Sequence, residues 1–145
     1  MENRSVPSNT VVPHLTYRSV TQARNWLCTV FSFTEHFNYG DPVSGVQILL
    51  GGAVIMLSGP RPQRESPATV GCCTQMLTVI VADVDEHYNN TVRHGAHIWE
   101  DLHETEYGER QYGAEDLDGH RWIFSQHVRD LSPDQWGGTL VNPMP

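Results

Sequence analysis

Eight histidines and three cysteines are the side chains of this 145-residue chain best suited to chemistry. Histidine can ligate a metal or move a proton near neutral pH, so its placement decides which reactions are within reach. His36, His87, His94, His103 and His120 fall in expected turns, on helix faces or at strand ends, which assigns them surface or capping roles. His97 begins a strand without a partner. His14 and His127 differ, because period two puts each on a strand face expected to line a cleft. A displaced metal site using both is one reading. For His14 the others are a hydrogen-bonding group in a pocket or a satisfied core histidine. Against the metal, Ile123 and His127 stand about 13 Å apart at strand rise, and no carboxylate joins the two histidines.

The thiols and carboxylates offer less. Cys72 and Cys73 are adjacent, Cys28 falls within an expected helix, and no Cys-x-x-Cys spacing occurs, so all three read as reduced thiols. None has a neighbouring base to activate it. Glu104, Glu106 and Glu109 cluster near a loop and are assigned to solvent, and no Gly-x-Gly-x-x-Gly phosphate loop is present. No catalytic residue is assigned.

Positioning these residues requires elements, and the pattern of elements occurs twice. Val11 to Tyr17 alternates as a strand. Thr21 to Phe31 places Ala23, Trp26, Leu27, Val30 and Phe31 at helical spacing, with Thr21 as its cap. Thr34 to Tyr39 follows as a strand, Asp41-Pro42 as a turn, and Val46 to Leu50 with Ala53 to Ser58 as a hairpin across Gly51-Gly52. A proline-rich linker spans about 59–72. Cys73 to Ala82 then begins again as a strand. Val84 to His94 is an amphipathic helix presenting Val84, His87, Tyr88, Thr91 and Val92, ended by Gly95. Ala96 to His103, Tyr107 to Ala114 and His120 to Val128 are the closing strands, the last set by the Asp118-Gly119 turn. The first nine residues read as a loose arm and 129–145 as a tail that Trp136 pins down.

Strand, helix, three strands, repeated, predicts an α+β fold of paired βαβββ modules at about 11–58 and 73–128 within one domain, 1–145. Hydrophobic residues at 39% and charged residues at 18% suit an ordinary globular protein. The net charge of −8, with scattered arginines and no basic stripe, argues against nucleic acid as a partner. No apolar run reaches the ~20 residues that span a bilayer, and no apolar stretch follows Met1 to Ser5, so no membrane partner and a cytoplasmic location are expected.

Taken in order, Ala23-Arg24-Asn25-Trp26-Leu27 through Phe31-Ser32-Phe33, Val79-Ile80-Val81-Ala82-Asp83-Val84-Asp85, Arg93-His94-Gly95-Ala96-His97-Ile98, Tyr107-Gly108-Glu109-Arg110 and Glu115-Asp116-Leu117-Asp118-Gly119-His120 carry a resemblance. The chain resembles the vicinal oxygen chelate superfamily of glyoxalases, bleomycin resistance proteins and dioxygenases, over roughly residues 11 to 128. The resemblance implies paired modules whose curved sheets close around a cleft, and commonly a homodimer. Metal-using members place their ligands at positions that here fall on Val12, Met56, Met76 and Ile123. None of these side chains has a nitrogen or oxygen, and a thioether is a poor ligand for a hard or borderline divalent ion. A one-residue slip substitutes Leu57, Leu77 and Trp122 or Phe124, which are equally apolar. No metal and no cofactor are expected.

Alternation then assigns the cleft. His14, Gln47, Met56, Met76, Thr78, Gln111, Ile123 and Ser125 face it, and Trp99 and Tyr107 stand where the family often touches ligands. Apolar with a few neutral polar groups, this lining suits a small hydrophobic or aromatic organic molecule and suits poorly a multiply charged one. The plain alternative is that these residues only fill space between the sheets. The expected function is metal-independent binding, in its sharpest form resistance by sequestration, as the bleomycin-binding branch of the resemblance implies. Whether the protein is an enzyme stays open. A divalent-metal glyoxalase- or dioxygenase-like lyase or isomerase is one alternative, and a metal-free enzyme using His14 as base is another.

Overall fold

The computed structural model describes residues 1–5 and 11–145. The arm expected over the first nine residues lies partly outside them. Two four-stranded mixed sheets form. The first contains β1 (His14–Thr16), β2 (Thr34–Tyr39), β3 (Gly45–Leu50) and β4 (Ala53–Ser58) in the order β1-β4-β3-β2, and α1 (Val20–Val30) lies between its first two strands in sequence. A short α2 (Pro67–Val70) follows in the segment expected to be plain linker. Pro67 at its start and the left-handed Gly71 at its end make one helical turn from residues that suggest only a loop. The second sheet contains β5 (Met76–Ile80), β6 (Ile98–Glu104), β7 (Glu109–Glu115) and β8 (Arg121–His127), ordered β5-β8-β7-β6, with α3 (Val84–Arg93) after its first strand.

The same topology is therefore made twice. In each sheet the first strand pairs in parallel with the fourth, and the remaining pairs are antiparallel. β1 is shorter than the alternation of Val11 to Tyr17 suggests. Pro13 has no N–H to give a ladder, and the paired strand is His14 to Thr16 beside Met56 to Ser58, with the Pro13 carbonyl accepting from the Met56 N–H and the Tyr17 N–H donating to the Ser58 carbonyl at its two ends. α1 starts one turn-position earlier than expected. Ser19 is the cap, extended in backbone and accepting from the Gln22 N–H at 3.4 Å, while Thr21 lies inside the first turn. α3 is capped by Asp83, which accepts from the Glu86 N–H at 3.0 Å. Val92 does not join its apolar face and is 45% exposed.

Alternation sends one face of each sheet into a single core. Leu15, Leu57, Ile55, Val46 and Ile48 of the first sheet pack with Leu27 and Phe31, and Val79, Trp122, Phe124, Tyr112 and Ala114 of the second complete the cluster. Phe31 at the end of α1 joins the modules, its ring 5.8 Å from Trp122 and 4.7 Å from Phe124. Polar ties reinforce the junction. The turn from Asp116 to His120 reaches back to the first module. Asp116 accepts from the Tyr17 hydroxyl at 2.6 Å and the Trp122 indole at 3.0 Å, Asp118 accepts from the Arg18 N–H at 2.7 Å, and His120 Nε2 lies 2.7 Å from the Thr16 carbonyl oxygen.

Two histidines expected at the surface are thus buried. His120 stacks obliquely on Tyr17. His87 meets the Phe31 carbonyl through Nε2 at 2.7 Å and the Tyr112 hydroxyl through Nδ1 at 2.6 Å. These partners assign the neutral tautomer with its proton on Nε2 and Tyr112 donating to Nδ1. A helix-face histidine with two matched nitrogens is a core residue, and its sequence position alone could not show the match.

Candidate functional site

Each sheet keeps a second face that its own helix does not cover, and the residues expected to line a cleft divide between these two faces. On the first, His14 pairs with Met56 across the ladder and Gln47 pairs with Met56 on the other side. Gln47 is fully buried. Its amide donates to Met56 Sδ at 3.4 Å, and its oxygen lies 2.6 Å from His36 Nδ1. His36 was assigned to a surface or capping role. A bulge between Glu35 and Phe37 sets both His36 and Phe37 opposite Gln47, which brings the imidazole over the uncovered face. His14 is exposed and opens on a cleft of about 320 Å³ shared with Thr16, Cys72, Cys73 and His120.

On the second sheet, Thr78 pairs with Ile123, Gln111 with Ser125, and Gly113 with Ile123. Met76 and Thr78 are exposed, whereas Ile123, Ser125 and Gln111 are buried at the floor. Tyr107 donates to Gln111 at 3.2 Å, and its ring meets Trp136 edge-on at 5.7 Å, so the tail is pinned against a candidate site residue. A second bulge sets both Trp99 and Glu100 opposite Gly113, and Gly113 has room for the indole because it has no Cβ. Thr78 and Val54, from the uncovered faces of different sheets, line one cleft of about 130 Å³ where the sheet edges adjoin.

The lining is less neutral than the sequence suggests. Glu100 accepts from the Gln111 amide at 3.0 Å, and Glu109 accepts from the Ser125 hydroxyl at 3.1 Å while lying 2.6 Å from His127 Nδ1. Glu109 was assigned to solvent. Its spacing of two and four from Gln111 and Gly113 is the signal that places it on their face. Glu100 is legible only from the bulge. Another cleft, of about 400 Å³, lies between α3 and the β3–β4 turn and is lined by residues such as Leu50, Ile80 and Asn90, with no candidate residue among them.

The four positions onto which the resemblance carries metal ligands hold apolar side chains. Met56, Met76 and Ile123 stand on the uncovered faces, and Val12 lies just ahead of β1. A divalent ion of the usual kind has no nitrogen or oxygen donor at these positions. Among the described residues no three His, Cys, Asp or Glu side chains gather to hold a metal ion, and His14 and His127 belong to no such group. Cys28, Cys72 and Cys73 are free thiols, and burial pushes the Cys28 thiol up.

Two sheets of one repeated topology, joined back through a common core and each leaving a face of mixed apolar, amide and ionisable side chains uncovered, define a protein of paired βαβββ modules. The chain belongs to the Glyoxalase/Bleomycin resistance protein/Dioxygenase superfamily, whose family model matches residues 9–124. It is similar to TioX from Micromonospora sp. ML1, at 28% identity and a TM-score of 0.69 over 86% of this chain and 100% of that one. A family enzyme from Burkholderia phytofirmans PsJN shares the fold at 15% identity and a TM-score of 0.64, covering 81% of this chain and 97% of that one. An uncharacterized protein of Mycobacterium tuberculosis H37Rv is 24% identical over 131 residues, 85% of this chain and 77% of that protein.

Proposed function

We propose that this protein binds a small hydrophobic or aromatic organic molecule without a metal, as a sequestration or resistance protein acting in the cytoplasm as a homodimer. One observation carries the reading. The positions to which the family resemblance assigns metal donors hold Val12, Met56, Met76 and Ile123, so at these positions the faces offer apolar surface to bury in place of donors to chelate. Methionine adapts to irregular flat ligands, and Gln47, Gln111, Ser125 and Thr78 supply orienting groups beside it. Dimerisation is supported by the exposed apolar side chains of β5, a sheet-edge strand with Met76 at 49% and Ile80 at 61% exposure. No helix among the described residues is long and apolar enough to cross a membrane.

The test is a thermal-shift screen of planar aromatic compounds on metal-free protein. Binding at a hundred times the dissociation constant adds about 2.7 kcal/mol and raises Tm by several degrees. Met76→Asp, at an exposed position of the same face, is expected to abolish the shift while the unliganded Tm stays within reach of the parent. A screen in which no apolar or aromatic compound shifts Tm contradicts the proposal.

A further inference from the structure

Two clefts meet at an adjacent pair of free thiols. Cys72 and Cys73 line the cleft of about 320 Å³ on which His14 opens, and also a larger one of about 650 Å³ beside the turn from Asp116 to Gly119. Cys72 is exposed and Cys73 half-buried, so both sulfurs are within reach of solvent. The pair is held between two elements: α2 ends on the left-handed Gly71 just before it, and β5 begins at Met76 just after it. The Cys73 thiol donates to the Gln75 carbonyl at 2.7 Å, which fixes the position of its sulfur.

Neither thiol belongs to the core, and neither takes part in the uncovered faces described above. The pair is also a poor disulfide. Residues joined by a trans peptide have Cα atoms about 3.8 Å apart, short of the roughly 4.4–6.8 Å that an unstrained disulfide takes. Two neighbouring sulfurs that do not readily bond to each other remain available to ligate.

The number of donors selects the ion. Structural zinc takes four ligands, and among the described residues no group of three His, Cys, Asp or Glu side chains forms around these thiols. Cu(I) is satisfied by two sulfurs, and soft thiolates favour it over harder ions. At about 2.3 Å per metal–sulfur bond, a two-coordinate ion sets its sulfurs about 4.6 Å apart. That span exceeds twice the ~2.0 Å of a disulfide, and neighbouring side chains reach it by choice of rotamer. The bis-thiolate complex carries one negative charge. Arg64 lines the smaller cleft without a carboxylate partner among the described residues, and Glu65 is the one carboxylate in that lining.

We infer that Cys72 and Cys73 form a two-coordinate thiolate site for Cu(I) where the two clefts meet. Each thiol releases its proton and donates an electron pair to the ion, whose previous ligands depart and whose oxidation state does not change. Met56, Met76 and Ile123 line neither cleft, so this site is separate from the metal-independent binding proposed above and does not depend on it.

The experiment is an anaerobic titration of reduced protein with Cu(I) in competition with bicinchoninate, whose copper complex is coloured. One equivalent per chain is expected to leave the indicator. Cys72→Ser and Cys73→Ser should each weaken the site at least tenfold, because each removes half of a chelate, while Cys28→Ser leaves it unchanged. X-ray absorption at the copper edge should show two sulfur neighbours. Met76→Asp, expected to abolish the aromatic thermal shift, should take up copper like the parent. Because Cys72 and Cys73 lie outside the core, the serine variants should keep the parent's Tm. The inference is overturned if the parent takes no copper from the indicator, if either single serine variant binds as tightly as the parent, or if half an equivalent is bound between two chains.

Discussion

Single residues divide here into those that hold the fold and those that stand open. Asp116 belongs to the first kind. It accepts from the Tyr17 hydroxyl, the Trp122 indole and the backbone N–H groups of Asp118 and His120. Burial pushes its carboxyl upward, opposed by the His120 charge and by the Tyr17, Trp122 and backbone donors. Asp116→Ala strands several buried donors, and a loss of about 3 kcal/mol in denaturant unfolding is expected. His87 gives a pH signature. Burial depresses its pKa below the ordinary 6.5, the Phe31 carbonyl opposing. The unfolded chain therefore binds the extra proton between 6.5 and the lower folded value. This contribution is complete above that window and lost as pH falls through it, by at most about 1.4 kcal/mol per pH unit. Unfolding measured from neutral pH down to about 5 should fall more steeply for the parent than for His87→Gln. Equal slopes would place the titration elsewhere. Neither role was legible beforehand, because a histidine or aspartate on an amphipathic pattern does not reveal the carbonyl or phenol it meets from another module.

Elements were far more legible than the contacts between them. The order strand, helix, three strands is written twice in hydrophobic period, and the uncovered faces follow from alternation along β3, β4, β5, β7 and β8. What alternation cannot express is a bulge. The extra residues at His36 and Trp99 put two consecutive side chains on one face, and for that reason His36 and Glu100 were missed. Helix starts also slipped, since Ser19 and Thr21 are both competent caps and only the backbone decides between them. The turn between β6 and β7 shows how narrowly an element can be fixed. Gly108 has φ of +91°, and a Cβ there would meet the Arg129 carbonyl oxygen at 2.1 Å. Gly108→Ala should cost about 2 kcal/mol or more and lower Tm by several degrees. Gly113→Ala should instead displace the Trp99 indole, seen as a changed tryptophan emission, with a smaller loss of stability because a side chain can move where a backbone cannot.

At the scale of the whole molecule, one core serves both modules while their other faces stay open. That arrangement suits a binding protein whose chain folds as a unit and whose recognition surface is left free. It also suits a second copy. Light scattering at micromolar concentration is expected to report the mass of two chains, and Ile80→Lys at the edge of the second sheet should shift it toward one. A monomer in the parent would remove that part of the account. The central claim is that binding needs no metal, and it rests on donors the chain does not have at Val12, Met56, Met76 and Ile123. Elemental analysis of untagged protein, purified without chelator and incubated with zinc, nickel, manganese and iron before desalting, tests it most directly. The account predicts no metal above background. Tightly held metal approaching one equivalent per chain would contradict it and turn attention to His14 and His127.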